Sequence, residues 1–465
     1  MCAEHIISQS RFSMLEGKID SRILRNLKDM GFEKPTQIQA ITLPHMLLDE
    51  DLIGAAKTGS GKTLAFLVPV VDKLIQMKFT KEKGVGCIII SPTRELALQT
   101  NEVLKMVLRD INLSYGLFVG GEKKLKETLL LQKGVNIVVG TPGRILDHLK
   151  STEKFKCHNL KILILDEADK LLEAGFQNHI EGIIKKLPKN RQTVLFSATI
   201  DDKVENLARL ALRSDPKLIC IQDDKQSTVK NLQQGYCICP VQNRISWLYK
   251  MLKKTRKLKV IVFFSSCKSV DFHYEFFRNH CKASVFSLHG KQSQPRRKET
   301  FESFVNTDKG ALFCTNVAAR GLDIPSVDWI VQYDPPTDIK EYIHRVGRTA
   351  RGLNSGNAVI LLRPEEEEFV ECLKREKVYL DKYNFGDPSN DVQVMLEKII
   401  QSDGTMKILA RKAYLSFLRC YSKHPLNEVF DIKTLDLKLS SQAFGFQEQP
   451  HVDFLTSRKR KLKNN

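Results

Sequence analysis

The feature that most constrains this chain is a repeated alternation. Short apolar runs rich in Val, Ile and Phe are separated by longer stretches with apolar residues three and four apart. The runs are nearly continuous rather than alternating, as in strands covered on both faces of a parallel sheet. The stretches between them read as the covering helices. Asp51–Ala56, Gly86–Ser91, Tyr115–Val119, Asn136–Gly140, Lys161–Leu165, Thr193–Ser197 and Lys217–Ile221 form a first series of expected strands. Gly235–Cys239, Val260–Phe264, Ser284–Leu288, Ala311–Thr315, Trp329–Tyr333 and Ala358–Leu362 form a second. Repeated βαβ wiring of this kind implies an α/β fold, and 465 residues leave room for more than one such domain at roughly 100–200 residues each.

Asp223–Asn231, between the two series, is polar and without periodicity, so it reads as a linker. The expected division is residues 1–222, a linker at 223–232, a second domain at 233–363, a C-terminal extension at 364–456 and a basic tail at 457–465. In the extension, Pro364 followed by Glu365–Glu368 reads as a helix start, with proline in the first turn and acids facing the positive dipole end. Helical spacing resumes over Val394–Ile400 and Ile408–Tyr421. The cluster Arg458–Lys463 holds five basic residues and no acid, and reads as a nuclear localisation signal, a nonspecific RNA anchor or a solvated tail.

The longest uninterrupted apolar stretch, Leu64–Val71, is far short of the ~20 residues that cross a membrane, so no membrane association is expected. Met1–Ser10 carries no cationic start followed by an apolar segment, so no secretory signal is expected. Eleven cysteines are scattered without a C-x-x-C, favouring reduced thiols over a disulfide frame or a zinc site. Lys and Arg total 73 against 54 Asp and Glu, a formal +19 that points toward a polyanionic partner without identifying one.

Two motifs carry the chemistry. Ala56-Lys-Thr-Gly-Ser-Gly-Lys62-Thr63 follows one expected strand and opens an expected helix, the context a phosphate-binding loop requires. Thr58, Gly59, Ser60 and Gly61 form the loop, and its glycines let backbone N–H groups turn inward around phosphate oxygens. Lys62 is placed for the β- and γ-phosphates and the Thr63 hydroxyl for Mg²⁺. Asp166-Glu-Ala-Asp169 closes the strand Lys161–Leu165, which puts its carboxylates at the carboxyl edge of the sheet. Asp166 suits Mg²⁺ held through water, and Glu167 suits orientation or deprotonation of an attacking water. Together the motifs make an NTPase the leading reading.

With these residues in order, the chain resembles the DEAD-box ATP-dependent RNA helicases over roughly Phe12 to Leu362. Asp166–Asp169 spells the motif for which the family is known. The resemblance implies two tandem RecA-like domains with parallel sheets, followed here by a mainly helical C-terminal extension. It also implies ATP and Mg²⁺ as cofactors. Gly31–Gln39 resembles the family's Q motif, implying that the Gln39 amide pairs with adenine while Phe12 stacks on the base. The family carries Ala at the position of Ala56. Asp323 is implied at the ribose. Ser197-Ala-Thr199 resembles the motif coupling hydrolysis to strand separation, in which His344 is also implicated. His344-Arg-Val-Gly-Arg348-Thr-Ala-Arg351 resembles the arginine-finger motif, with Arg348 and Arg351 implied at the transferred phosphoryl group.

RNA contacts are implied for Pro92, Thr93, Arg94, Gly121, Thr141, Pro142, Gly143 and Arg144 in the first domain. In the second they are implied for Arg297, Thr315, Arg320 and Gly321. One position departs from the pattern: the family usually has Thr-Asp where this chain has Thr315-Asn316, which bears on coupling between RNA and ATP.

Val262–Cys267, Leu288–Gln292 and Trp329–Pro336 resemble the nucleolar ribosome-assembly subgroup of helicases associated with Set. The segments Ala410–Tyr421, Glu428–Phe430 and Ala443–Phe446 are similar to that subgroup's C-terminal extension. The subgroup implies a monomeric protein of the nucleus and nucleolus. Its implied partners are pre-ribosomal RNA, small nucleolar RNA duplexes and pre-ribosomal proteins. A second reading is an ATP-gated RNA clamp that serves as an assembly platform with little unwinding.

Overall fold

The computed structural model describes residues 11–56, 59–121, 123–213, 215–221, 232–316, 327–350, 355–384, 386 and 391–452. Of the expected site residues, Thr58, Arg320, Gly321, Asp323 and Arg351 lie outside these, as do Asp223–Asn231 of the linker and the basic tail. The chain divides into two compact units near residue 222.

In the first unit, the apolar runs become β1 (Leu52–Ala55), β2 (Cys87–Ile90), β3 (Tyr115–Phe118), β4 (Ile137–Gly140), β5 (Ile162–Leu165), β6 (Gln192–Ser197) and β7 (Lys217–Cys220). They form one sheet in the order β3-β4-β2-β5-β6-β1-β7, with every pairing parallel. Successive residues feed two different cores. Ile89, Ile162, Ile164, Val194 and Phe196 join the buried residues of helices Lys62–Gln76 and Arg94–Val107. Ile88, Ile90, Leu163, Leu165 and Leu195 join those of helices Pro142–Ser151, Gln177–Ile184 and Asp202–Ala211. A strand covered on both faces needs an apolar residue at every position, and each fully buried Leu, Ile or Phe contributes ~1.5–3 kcal/mol.

The second unit repeats the plan with β8 (Leu232–Ile238), β9 (Lys259–Phe263), β10 (Val285–Leu288), β11 (Gly310–Cys314), β12 (Trp329–Gln332), β13 (Gly356–Leu362) and β14 (Asp381–Lys382). Their order is β10-β11-β9-β12-β13-β8-β14, again all parallel. β8 starts three residues ahead of the expected run, because Leu232 and the polar Gln233 and Gln234 also pair with β13. β14 was not expected. It is two exposed residues on the sheet edge.

The C-terminal extension is helical and packs on this second sheet's helices. Helix Gly404–Ser422 lies against helix Cys267–Asn279, and Phe444 fits among Phe272, Tyr414 and Phe417. Pro364–Glu366 forms a 3₁₀ turn before the helix Glu368–Arg375, so the acidic run does begin a helix. Glu366 nevertheless does not face a helix end in solvent. It is fully buried, accepting from Arg363 Nε at 2.7 Å, Arg244 Nη2 at 3.3 Å and the Tyr421 hydroxyl at 2.6 Å. Tyr421 comes from the extension, so this carboxylate fastens the extension to the sheet domain.

Candidate nucleotide and RNA site

The strand order places the expected residues. The carboxyl ends of the adjacent strands β5, β6 and β1 lead into Asp166–Asp169, Ser197–Thr199 and the loop Ala56–Thr63. The neighbouring strands β3, β4 and β2 lead into Gly120–Gly121, Thr141–Arg144 and Pro92–Arg94. One sheet edge is thereby divided into a half carrying the nucleotide set and a half carrying the first-domain RNA set. Ligands of open parallel sheets bind at this edge.

In the first half, Gly59 and Gly61 have φ of +78° and +91°, backbone that an L side chain adopts only with strain. Lys62 is the first residue of its helix and is buried, and its Nζ donates to the Ala56 carbonyl at 2.6 Å across the loop. The Ala56 N–H donates to the Ser197 carbonyl at 3.0 Å, joining the loop's base to the coupling motif. Ser197 Oγ donates to the Thr199 carbonyl at 2.6 Å. The Ser60 and Thr199 hydroxyls are buried without a hydrogen-bond partner, two polar atoms poised at the loop and at the adjoining strand end.

Asp166 is buried at the end of β5. Burial, and after it the Glu167 carboxylate, pushes its carboxyl up to about 7 against the pull of Lys62. The Asp166 carboxylate and the Thr63 hydroxyl are hard oxygen donors, the chemistry Mg²⁺ takes. Glu167 stands in the left-handed region at φ 49° and ψ 56°. That conformation costs a non-glycine residue ~1–2 kcal/mol and is held where surroundings over-determine it, as at functional sites.

Two expected adenine contacts are differently engaged. The Gln39 amide braces the loop: its Nε2 donates to the Gly61 carbonyl at 2.8 Å and its Oε1 accepts from the Thr36 N–H at 2.8 Å. Thr36 was missed, although Thr-x-x-Gln before an apolar helix signals this reciprocal cap. Phe12, on a short 3₁₀ helix, is 3% exposed and packs in the core with Ile19, Ile23 and Ile38.

In the second half, Thr93 Oγ1 caps helix Arg94–Val107 by accepting from the Leu96 N–H at 3.2 Å, and Thr141 precedes Pro142 at the start of the next helix. Helix N-termini with free N–H groups suit phosphates. Arg94 lies over Gly120 and Gly121, where any side chain would collide with its guanidinium. A Cβ at Gly143 would meet the His179 ring at 3.8 Å, an ordinary contact. Arg144 Nη1 donates to the buried Glu127 at 2.7 Å, and Glu127 also meets His148 Nε2 at 2.7 Å and the Val119 N–H at 3.1 Å. Arg144 thus holds the strand end that presents Gly120–Gly121. Glu127 was missed, since its partners are distant in sequence.

In the second unit, Thr315 follows β11 with its hydroxyl buried and unpartnered, and Arg297 is buried on helix Gln294–Val305. Asn316 Oδ1 accepts from Arg345 Nε at 2.9 Å. Arg345 already pairs with the buried Glu341 at 2.6 Å and donates to the Asp334 carbonyl at 2.9 Å. His344 sits in the last turn of helix Ile339–Val346, and Arg348 follows that helix and is buried.

Residues 36–207 match the model of the DEAD/DEAH box helicase, 243–352 that of the helicase conserved C-terminal domain, and 403–452 the C-terminal extension of the ATP-dependent rRNA helicase SPB4-like family. The ATP-dependent RNA helicase HAS1 of Pyricularia oryzae is 46% identical over 441 residues, 94% of this chain and 75% of that protein. The chain belongs to the DEAD-box helicase family. The probable ATP-dependent RNA helicase pitchoune of Drosophila melanogaster is 49% identical over 445 residues, and the ATP-dependent RNA helicase DDX18 of Homo sapiens 48% over 445. Both matches cover 95% of this chain, which spans 65% of the first protein and 66% of the second. Among solved structures, Mss116p bound to ssRNA and AMP-PNP aligns with a TM-score of 0.85 at 28% identity, covering 98% of this chain and 95% of that one. The tandem RecA-like domains of this DEAD-box chain are therefore shared with a nucleotide- and RNA-bound member of the fold.

Proposed function

We propose that this DEAD-box protein is an RNA-dependent ATPase and helicase that locally unwinds RNA duplexes and remodels RNA–protein complexes during ribosomal RNA processing. The observation that carries the reading is the division of one sheet edge between the phosphate loop and the RNA set. Strand occupancy can then be felt at the phosphate site through neighbouring strand ends.

Lys62 draws the β- and γ-phosphates into the loop, whose inward N–H groups hold them. Glu167 takes or orients the proton of the attacking water. Arg348 and Arg351 are assigned to the charge that grows on the transferred phosphoryl group. Mg²⁺, when bound, neutralises charge on the phosphate oxygens, with Thr63 and Asp166 as its protein-side donors. Gln39, by holding Gly61, reports adenine occupancy to the loop. Thr93, Arg94, Gly121, Thr141, Pro142 and Gly143, with Arg297 and Thr315, meet sugar and phosphate, which position a strand without reading its sequence. Asp323 at the ribose and Arg320 and Gly321 at RNA complete the assignment.

The rRNA-helicase extension model supports ribosomal RNA as the substrate; small nucleolar RNA duplexes and pre-ribosomal proteins as partners, a monomeric state and a nuclear and nucleolar location are carried over from the subgroup resemblance. The names of the relatives do not favour the clamp reading. Displacement of a short RNA strand tests the choice: ATP should release it well above the nucleotide-free background, and Lys62→Ala should not. RNA binding with ATP but background release would replace the helicase with a clamp.

A further inference from the structure

In the second unit, the ends of three adjacent strands are tied together. The Asp334 carboxylate, after β12, accepts from the Ser265 N–H and hydroxyl, after β9, each at 2.8 Å. Arg345 joins the Asp334 carbonyl to Asn316, after β11. The end of helix Gly404–Ser422 in the extension closes on this junction. The Cys420 thiol lies 3.6 Å from the Ser265 carbonyl, and the Tyr421 hydroxyl donates to Glu366, which Arg244 links onward to Asp334 at 3.7 Å. His424 Nε2 donates to the Pro336 carbonyl at 2.9 Å. His424 Nδ1 accepts from the Leu426 N–H at 3.2 Å, so the imidazole is neutral with its proton on Nε2. Burial, which lowers its pKa, agrees.

We infer that the extension is a positioning element of the ATPase: His424, backed by Tyr421, fixes the entry of helix Ile339–Val346 and thereby the presentation of His344 and Arg348 at its far end. The inference rests on the assignment of Arg348 to the transferred phosphoryl group. Both extension residues act through the helix.

The length of the helix makes its ends decisive. Eight residues are about two turns, too few to be stable alone, so the helix takes its direction from what grips each end. At the far end, Arg345 pairs with Glu341 and reaches Asn316 and the Asp334 carbonyl. At the entry, the turn Pro336–Asp338 is held from within. Asp338 caps the helix by accepting from the Glu341 N–H at 2.7 Å, and the Thr337 N–H donates to the Glu341 carboxylate at 3.3 Å. From outside it is held by His424, whose ring packs on Phe430 with centroids 4.2 Å apart. A misplacement of ~1 Å, even one caused far from the chemistry, can cost ~10²-fold in rate.

The test uses the full chain and RNA-stimulated ATP hydrolysis. Rates are referred to sites counted by titration with a fluorescent ATP analogue, so that loss of folded protein does not register. His424→Phe keeps a ring against Phe430 and removes the donor. Its kcat should fall about three- to tenfold, the worth of one hydrogen bond, while half-saturating ATP and RNA stay within about twofold of wild type. His424→Gln, whose amide can donate to the Pro336 carbonyl, should recover most of that loss, and Tyr421→Phe should show the same split. If His424→Phe binds no analogue, Tyr421→Phe decides. Wild-type kcat in the folded variants, an equal fall in His424→Gln, or a matching loss of ATP or RNA affinity overturns the inference. A wild type indifferent to RNA would instead fail the ATPase reading itself, and shows before any variant is compared.

Discussion

Replacing Gly61 by alanine separates the loop's geometry from its chemistry, because every charged group stays in place. The new Cβ would lie 2.6 Å from Gln39 Nε2 and 2.9 Å from Thr36 Oγ1, on a backbone at φ +91°. Left-handed backbone costs alanine ~1–2 kcal/mol. Displacing Gln39 forfeits its 2.8 Å bond to the Gly61 carbonyl, worth ~0.5–1.5 kcal/mol net. The sum, ~1.5–3.5 kcal/mol, weighs against the one loop conformation that wraps phosphate. Apparent affinity falls with the population of that conformation, so ATP binding should weaken by roughly 10- to 300-fold. Titration with a fluorescent ATP analogue measures this directly, and Gln39→Ala serves as the variant that removes the brace without the strain. Wild-type affinity in Gly61→Ala would refute the argument that the loop is pre-shaped by its glycine and by Gln39.

Other consequences follow from buried charge. Glu366→Ala leaves Arg244 and Arg363 without their shared carboxylate, so denaturant unfolding should show a loss of ~3–5 kcal/mol; a loss below ~1 kcal/mol would remove Glu366 from its role as fastener. Burial would raise the Glu366 carboxyl, but Arg244 and Arg363 outweigh it and hold it below the ordinary value. Its contribution is therefore complete above the unfolded carboxyl's pKa of ~4.3 and lost as pH falls through the lowered folded value, and Glu366→Gln should flatten that acid limb of the stability profile. Asn316→Asp turns the bond from the Arg345 guanidinium, now made to a neutral amide, into an ion pair, a gain of ~1 kcal/mol at most, so RNA stimulation of ATPase should rise by up to about fivefold while ATP affinity stays unchanged; equal stimulation in both forms would discard the coupling role.

What the sequence made legible follows from where information is local. β1 to β13 coincide with apolar runs, and β2, β4, β5 and β9 do so most plainly because strands buried on both faces cannot hide their composition. β14 escaped since two exposed residues, Asp381 and Lys382, carry no such pattern. The phosphate loop could be read because its glycines, Lys62 and Thr63 are contiguous. Glu366 could not, since its partners lie at residues 244, 363 and 421, and only the folded chain brings them together. Arg144 shows the same limit from the other side: nothing near it in sequence announced that this expected RNA contact also pairs with a buried carboxylate 17 residues earlier.

The proposed function requires that this chain spend ATP in response to RNA. ATP hydrolysis measured with and without single-stranded RNA, for wild type and Glu167→Gln, tests it most directly. Wild type should hydrolyse ATP faster when RNA is added, and Glu167→Gln should keep ATP-dependent RNA binding while losing about 10²- to 10⁴-fold in turnover. A wild-type rate indifferent to RNA would contradict the account.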